Sequence, residues 1–159
     1  MLIMTLLVHF NAGNMDMPAF EALRVLHLAA DLTPGIGMIT WLVRSLETMS
    51  RVGDVKNLKE IVIYLNYEMA EDDLVYVLAK SHRLWSDFDT VLAASGKFAN
   101  MDKLFIYVCS VDEVDIVQEL LHVSLPRLST NGILGIHATA MNSDELRILH
   151  PEQVPWRRR

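Results

Sequence analysis

The chain has 159 residues, 52% of them apolar and 21% charged, with a formal net charge of -6. That length suits one domain with a core of its own, and the composition is that of a globular chain, not a disordered one. The acidic balance leaves no basic stripe for nucleic acid, no apolar run approaches the ~20 residues of a membrane span, and the one basic cluster, Arg157-Arg158-Arg159, reads as a solvated tail.

The single cysteine, Cys109, excludes an internal disulfide and fits a reducing, intracellular setting, cytoplasmic or nuclear. The apolar start, Met1-Leu2-Ile3-Met4-Thr5-Leu6-Leu7-Val8, lacks the basic segment of a signal peptide and is interrupted by His9, Asn11 and Asn14. It reads as a strand that begins almost at the first residue. A domain seldom opens on an uncovered apolar strand, so the chain is expected to be a fragment of a longer protein.

Taken in order, five units share one shape. The first ends in Leu6-x-Val8-x-x-Asn11, followed by turn residues 11–14. The second is Phe20-x-x-Leu23-x-x-Leu26-x-Leu28-x-x-Asp31, after which Pro34-Gly35-Ile36-Gly37 breaks the chain. A helix is predicted over residues 38–50, with Ile39, Leu42, Val43 and Leu46 on one face. The third unit is the clearest: Val55-x-x-Leu58-x-x-Ile61-x-Ile63-x-x-Asn66. Two short helices should follow, one over residues 71–79 behind Glu71-Asp72-Asp73, the other from Trp85 to Ala94 with Ser86 as N-cap and Gly96 as its stop.

The fourth unit is Phe98-x-x-Met101-x-x-Leu104-x-Ile106-x-x-Cys109. Ser110-x-x-Glu113 then reads as a capping box for a helix that buries Val114, Val117, Leu120 and Leu121 and that Pro126 prevents from continuing. The fifth unit is degenerate: Leu125-x-x-Leu128, then Leu134-x-Ile136-x-x-Thr139. Residues 140–159, with Pro151 and Pro155, read as a poorly ordered tail.

This spacing has a physical meaning. A three-residue spacing that closes in a two-residue spacing is a turn feeding a half-buried strand. In each strand the two aliphatic residues point into the core and the residue between them points out. Where the backbone then turns a corner, its freed amides and carbonyls need partners, and a buried Asn supplies both donor and acceptor. That gives Asn11, Asp31, Asn66, Cys109 and Thr139 equivalent places. The pattern predicts an α/β fold, a leucine-rich-repeat-like solenoid over residues 1–139 with short parallel strands on a concave face and helices and turns on the convex face.

The residues thus resemble the leucine-rich repeat. A narrower set, Leu84-Trp85-Ser86-Asp87-Phe88-Asp89-Thr90-Val91-Leu92, then Phe98-Ala99-Asn100-Met101-Asp102-Lys103-Leu104, then Leu125-Pro126-Arg127-Leu128-Ser129-Thr130-Asn131-Gly132-Ile133-Leu134, is similar to the closing region of F-box proteins of mushroom-forming fungi. Those chains often end on a W-x-x-[LF]-D-x-x-L helix, an F-x-x-L-x-x-[LV] strand and an L-P-x-L-x-x-x-G-[IVL]-L element. The resemblance implies the substrate-recognition region of a ubiquitin-ligase receptor, with an unidentified target protein as partner. The chain holds no F-box helix motif, so a ligase adaptor would be a partner only through an F-box upstream of it.

No catalytic constellation is visible, and the chain is not expected to be an enzyme. The six histidines show no metal-ligand spacing. The repeat places His9 and His27 on neighbouring strands, about 5 Å apart, with no third ligand, so no metal and no cofactor is expected. Cys109 is assigned to a buried corner and not to a nucleophile. Glu71-Asp72-Asp73 and Asp112-Glu113-x-Asp115 sit at helix starts, where compensation of the helix dipole explains them. Pro34-Gly35-Ile36-Gly37 lacks both glycine-rich phosphate-loop frames. Trp41 and Trp85 are expected in the core, and Trp156 in the tail.

The alternation instead points outward Leu7 and His9, His27 and Ala29, Val62 and Tyr64, Phe105 and Tyr107, and Gly135 and His137. Of these, Tyr64, Phe105 and Tyr107, with His27, His9 and Val62 beside them, form the predicted protein-binding face, aromatic and weakly charged as interfaces tend to be. Two other readings use the same strands. One is a small α/β enzyme with a ligand at the strand C-termini, which calls for a reversal in strand order. The other is a fragment with no independent function.

Overall fold

The computed structural model describes residues 2–7, 23–31, 37–52, 55–66, 76, 78–94, 96, 98–109, 111 and 114–140. Five strands, β1 (Leu2–Leu7), β2 (Leu23–Asp31), β3 (Glu60–Asn66), β4 (Lys103–Cys109) and β5 (Leu134–Thr139), form one open sheet in the order β1-β2-β3-β4-β5. Every neighbouring pair is parallel. The connections carry α1 (Gly37–Val52), α2 (His82–Ala94), α3 (Val114–Ser124) and the short α4 (Pro126–Thr130).

The register aligns the aliphatic positions into rows. Met4, Leu26, Ile61, Leu104 and Leu134 are successive partners, and so are Leu6, Leu28, Ile63, Ile106 and Ile136. Every β2–β5 residue in the core cluster belongs to the alternation set of these rows, and the helices supply its other side through Leu42 and Leu46, Trp85 and Phe88, Val117 and Leu121, and Leu128. One face of the sheet thus packs against the helices, and the residues between the aliphatic ones stand on the other.

The turns before β3 and β4 have the same geometry. Leu58 N–H donates to the Val55 carbonyl at 3.1 Å, and Met101 N–H to the Phe98 carbonyl at 2.9 Å. From each turn a bond then reaches the preceding strand entry: Lys59 N–H to the Arg24 carbonyl and Asp102 N–H to the Lys59 carbonyl, both at 2.8 Å. The apolar residues at the two turns, Val55 with Leu58 and Phe98 with Met101, are all buried. At the strand exits Asp31, Asn66, Cys109 and Thr139 are register partners, as their equivalent spacing requires. Cys109 is fully buried, while the side chains of Asp31 and Asn66 lie outside the described residues.

Three expectations change. The first unit pairs Leu6 with Leu28 and not with Leu26, so its rows are carried by Met4 and Leu6 and not by Leu6 and Val8. A shift of two residues keeps every side chain on its own face, and alternation alone cannot detect it. Ser86 is not a cap, because α2 begins at His82 and the Ser86 carbonyl accepts the Thr90 hydroxyl at 2.9 Å inside the helix. Residues 126–130 form a helix, α4, where the sequence suggested a strand approach. The predicted helix at 38–50 is present with slightly wider bounds, and Trp85 is fully buried. Ser110-x-x-Glu113, Glu71-Asp72-Asp73, Asn11 and residues 141–159 lie outside the described residues.

The W-x-x-F-D and L-P-x-L segments meet in space. Asp89, buried on α2, accepts the Leu128 N–H at Oδ1 (2.9 Å) and the Arg127 N–H at Oδ2 (3.2 Å), so it caps α4 from another helix. Pro126 occupies the first helical turn, where its missing N–H costs nothing. Leu125 and Leu128 are buried beside Trp85 and Phe88, whose rings meet edge to face at 5.9 Å. Gly132, at φ +70°, then turns the chain into β5, a backbone conformation that side chains with a Cβ avoid. Asp89→Ala strands two amides and should lower stability by about 1–3 kcal/mol, read as a lower denaturation midpoint with the fold retained, whereas Thr90→Ala, which removes two exposed contacts, to the Ser86 carbonyl and from Arg127, should change it by less than about 0.5 kcal/mol.

Candidate functional site

The face turned away from the helices is built from two cross-strand rows. In one, Ala29, Tyr64, Tyr107 and His137 are successive partners. In the other, Thr5, His27, Val62, Phe105 and Gly135 are. Strands lie ~4.8 Å apart, close to the stacking distance of flat rings. The rings take up that spacing: Tyr64 stacks on Tyr107 at 5.1 Å and 13°, and Tyr107 on His137 at 5.1 Å and 19°. Phe105 leans against both Tyr107 and His137, with centroids 6.3 and 6.2 Å away.

Gly135 has a specific place in this column. A Cβ built there would lie 2.7 and 2.8 Å from Phe105 Cδ1 and Cε1. The Phe105 ring therefore lies over the glycine, in the space a side chain would take. Tyr107 and His137 flank the ring and limit its retreat.

The predicted binding residues share one face but differ in exposure. His27, Val62 and Tyr64 are buried, at 8%, 4% and 6% exposure, although Val62 and Tyr64 stand apart from the core cluster. They do not face water as the alternation suggested. A Tyr107 ring covers one face of Tyr64. Phe105 and Tyr107 are half-buried, and His137 is exposed. Sequence reasoning placed His137 outward without giving it a role, although its parity with Tyr107 was there to read. The pairing of His27 with His9 is overturned: the partner of His27 on β1 is Thr5, and His9 lies outside the described residues.

The rings of this face are neutral, while Glu60 and Lys103, register partners of the same parity, bring charge to its strand-entry end. Burial pulls the His27 imidazole down to about 4, and its Nδ1 is buried without a hydrogen-bond partner. Burial, with the Glu60 carboxylate adding to it, pushes the Tyr107 phenol up. At neutral pH neither ring carries charge. Among the described residues no group of three or more His, Cys, Asp or Glu side chains is placed to hold a metal ion, and no described helix is long and apolar enough to cross a membrane. What the arrangement offers is ring surface and ring edge for a partner to cover. No protein-family model, curated protein or solved structure matches the chain.

Two predictions follow from this geometry. Because the folded His27 resists protonation, the unfolded chain binds a proton first as pH falls. Stability should therefore be lost as pH falls from about 6.5 towards about 4. Denaturation midpoints of His27→Leu across that range should lack this component. Gly135→Ala forces a Cβ against the Phe105 ring and should cost about 1–3 kcal/mol, and Phe105→Leu in the same chain should recover part of the loss.

Proposed function

We propose that this chain is a protein-interaction module: a leucine-rich-repeat-like solenoid, the substrate-recognition region of an F-box-like protein, that holds a target protein against its aromatic sheet face. The observation that carries the reading is the stacked column Tyr64–Tyr107–His137 with Phe105, built on the side opposite the helices. Aromatic side chains present large contact area at low entropic cost and dominate binding energy where they are half-covered and flat. The solenoid reading draws support from the sequential parallel order, the matching turns before β3 and β4, and the aligned exit residues Asp31, Asn66, Cys109 and Thr139. A doubly wound enzyme gathers its ligand where strand order reverses, and the described sheet has no reversal. In this reading a ubiquitin-ligase adaptor would be recruited by an F-box outside this chain, in the cytoplasm or nucleus.

The test is Phe105→Ala combined with Tyr107→Ala. Both rings are half-buried, so the variant should lose about 1–3 kcal/mol of stability and stay folded. Polypeptides captured from a cell extract by the wild-type chain should be lost with the folded variant. Capture that survives in the folded variant would remove the face from consideration.

A further inference from the structure

The turn from α4 into β5 carries the one Asn-Gly pair of the sequence, Asn131-Gly132. Both residues are exposed. Asn131 closes the helix in the helical region, at φ -72° and ψ -8°, and Gly132 follows at φ +70°. A Cβ built on Gly132 would meet nothing within 4 Å, so the peptide between the two residues has open space beside it. Asparagine is a chemically labile residue, and most so before glycine, whose nitrogen has no side chain beside it to hinder attack on the neighbouring carboxamide.

The fold holds that attack back in two ways. The Gly132 N–H donates to the Ser129 carbonyl at 3.1 Å, so the proton that must leave before the nitrogen can attack is engaged. A ψ near zero also sets the Gly132 nitrogen beside the backbone nitrogen of Asn131, turned away from the Asn131 Cβ. Ring closure needs that nitrogen swung round to the Cβ side, within reach of Cγ. The swing breaks the bond to Ser129 and opens the last turn of α4, a helix that Asp89 holds at its start.

We propose that Asn131-Gly132 is a site of intramolecular deamidation, latched by the last turn of α4 and released when that turn opens. The Gly132 nitrogen gives its proton to solvent base and bonds to Asn131 Cγ. The Cγ–Nδ2 bond breaks and ammonia leaves. Water then opens the five-membered imide at one or other carbonyl, giving aspartate or isoaspartate at 131. In isoaspartate the Cβ enters the main chain, which grows by one carbon. That carbon falls between two anchored nitrogens: Asn131 N–H donates to the Arg127 carbonyl at 2.9 Å, and Gly132 N–H to Ser129. Both bonds cannot be kept, and the next tie, Leu104 N–H to the Ile133 carbonyl at 2.8 Å, takes up the shift. β5 then moves against β4, and Gly135 and His137 leave their places against Phe105 and Tyr107.

The experiment ages the full chain in mildly alkaline buffer and reads the tryptic peptide 128–147 by mass and isoaspartate content; the same peptide holds Asn142, before Ser143, as an internal comparison. Aspartate and isoaspartate should accumulate at 131, at least about tenfold faster in the chain unfolded by denaturant than in the folded chain. Asp89→Ala, while folded, should speed the reaction about fivefold or more, and Asp89→Asn, which keeps one acceptor, by less. The isoaspartyl fraction should show displaced NMR signals for the Tyr107 and His137 rings, whereas Asn131→Asp, with the same charge and the ordinary chain length, should keep them in place. Equal rates in the folded and unfolded chain overturn the proposal, because the turn would then be no latch. So does an Asn131 that reacts only in the unfolded chain and stays intact in the folded wild type and both Asp89 variants, because the turn would then never release. If Asp89→Ala does not fold, Asp89→Asn and the wild-type ratio decide. Ring signals that are unmoved in the isoaspartyl fraction, or moved as far in Asn131→Asp, overturn the link from the turn to the ring column.

Discussion

The parallel register is the constraint on which the rest of this structure depends. Leu26, Ile61, Leu104 and Leu134, and beside them Leu28, Ile63, Ile106 and Ile136, line up across the strands and meet the helices as two continuous rows. Burying each such side chain is worth about 1.5–3 kcal/mol. A slip by one residue on any strand would turn its aliphatic residues to the opposite face and bring its polar and aromatic residues under the helices. An aromatic pair on the other face is worth about 0.5–1.5 kcal/mol beyond its area, so the aliphatic rows set the register and the ring column follows from it.

Once the register is set, the outer face has little freedom. Tyr64, Tyr107 and His137 stack because parallel strands hold equivalent residues one strand spacing apart. Gly135 completes the column by leaving room for Phe105. On the same face His27 is buried, and burial pulls its imidazole down to about 4. The face is thereby uncharged at neutral pH in its buried part, and its accessible part runs from Phe105 and Tyr107 to His137 at the edge. A surface of this kind suits an extended or flat partner more than a small ligand in a closed pocket.

On the helical side, Asp89 joins two segments that are far apart in sequence. Its carboxylate satisfies two amides of α4 and is itself buried, and Trp85, Phe88, Leu125 and Leu128 belong to the core cluster. His82 and Ser124 add a second tie between the start of α2 and the end of α3, with Nδ1 and Oγ 2.8 Å apart. These contacts tie α2, α3 and α4 to one another.

The sequence by itself determined the strands, their faces and most of their register. Val55-x-x-Leu58-x-x-Ile61-x-Ile63 and Phe98-x-x-Met101-x-x-Leu104-x-Ile106 have one spacing and take one geometry, because turn bonds and side-chain alternation are local matters. The outward parity of Tyr64, Phe105 and Tyr107 was readable for the same reason. Only the tertiary structure decided how much of each outward residue is covered, since alternation gives the face of a side chain and not what lies over it: Tyr64 and Val62 are buried, Tyr107 is half-buried. It also decided that Leu6 pairs with Leu28, a two-residue shift that alternation cannot see. And it decided the role of Asp89, because a carboxylate that caps a helix starting 37 residues later leaves no periodic trace, only an aspartate after W-x-x-F and a proline after leucine, whose meeting requires the folded chain.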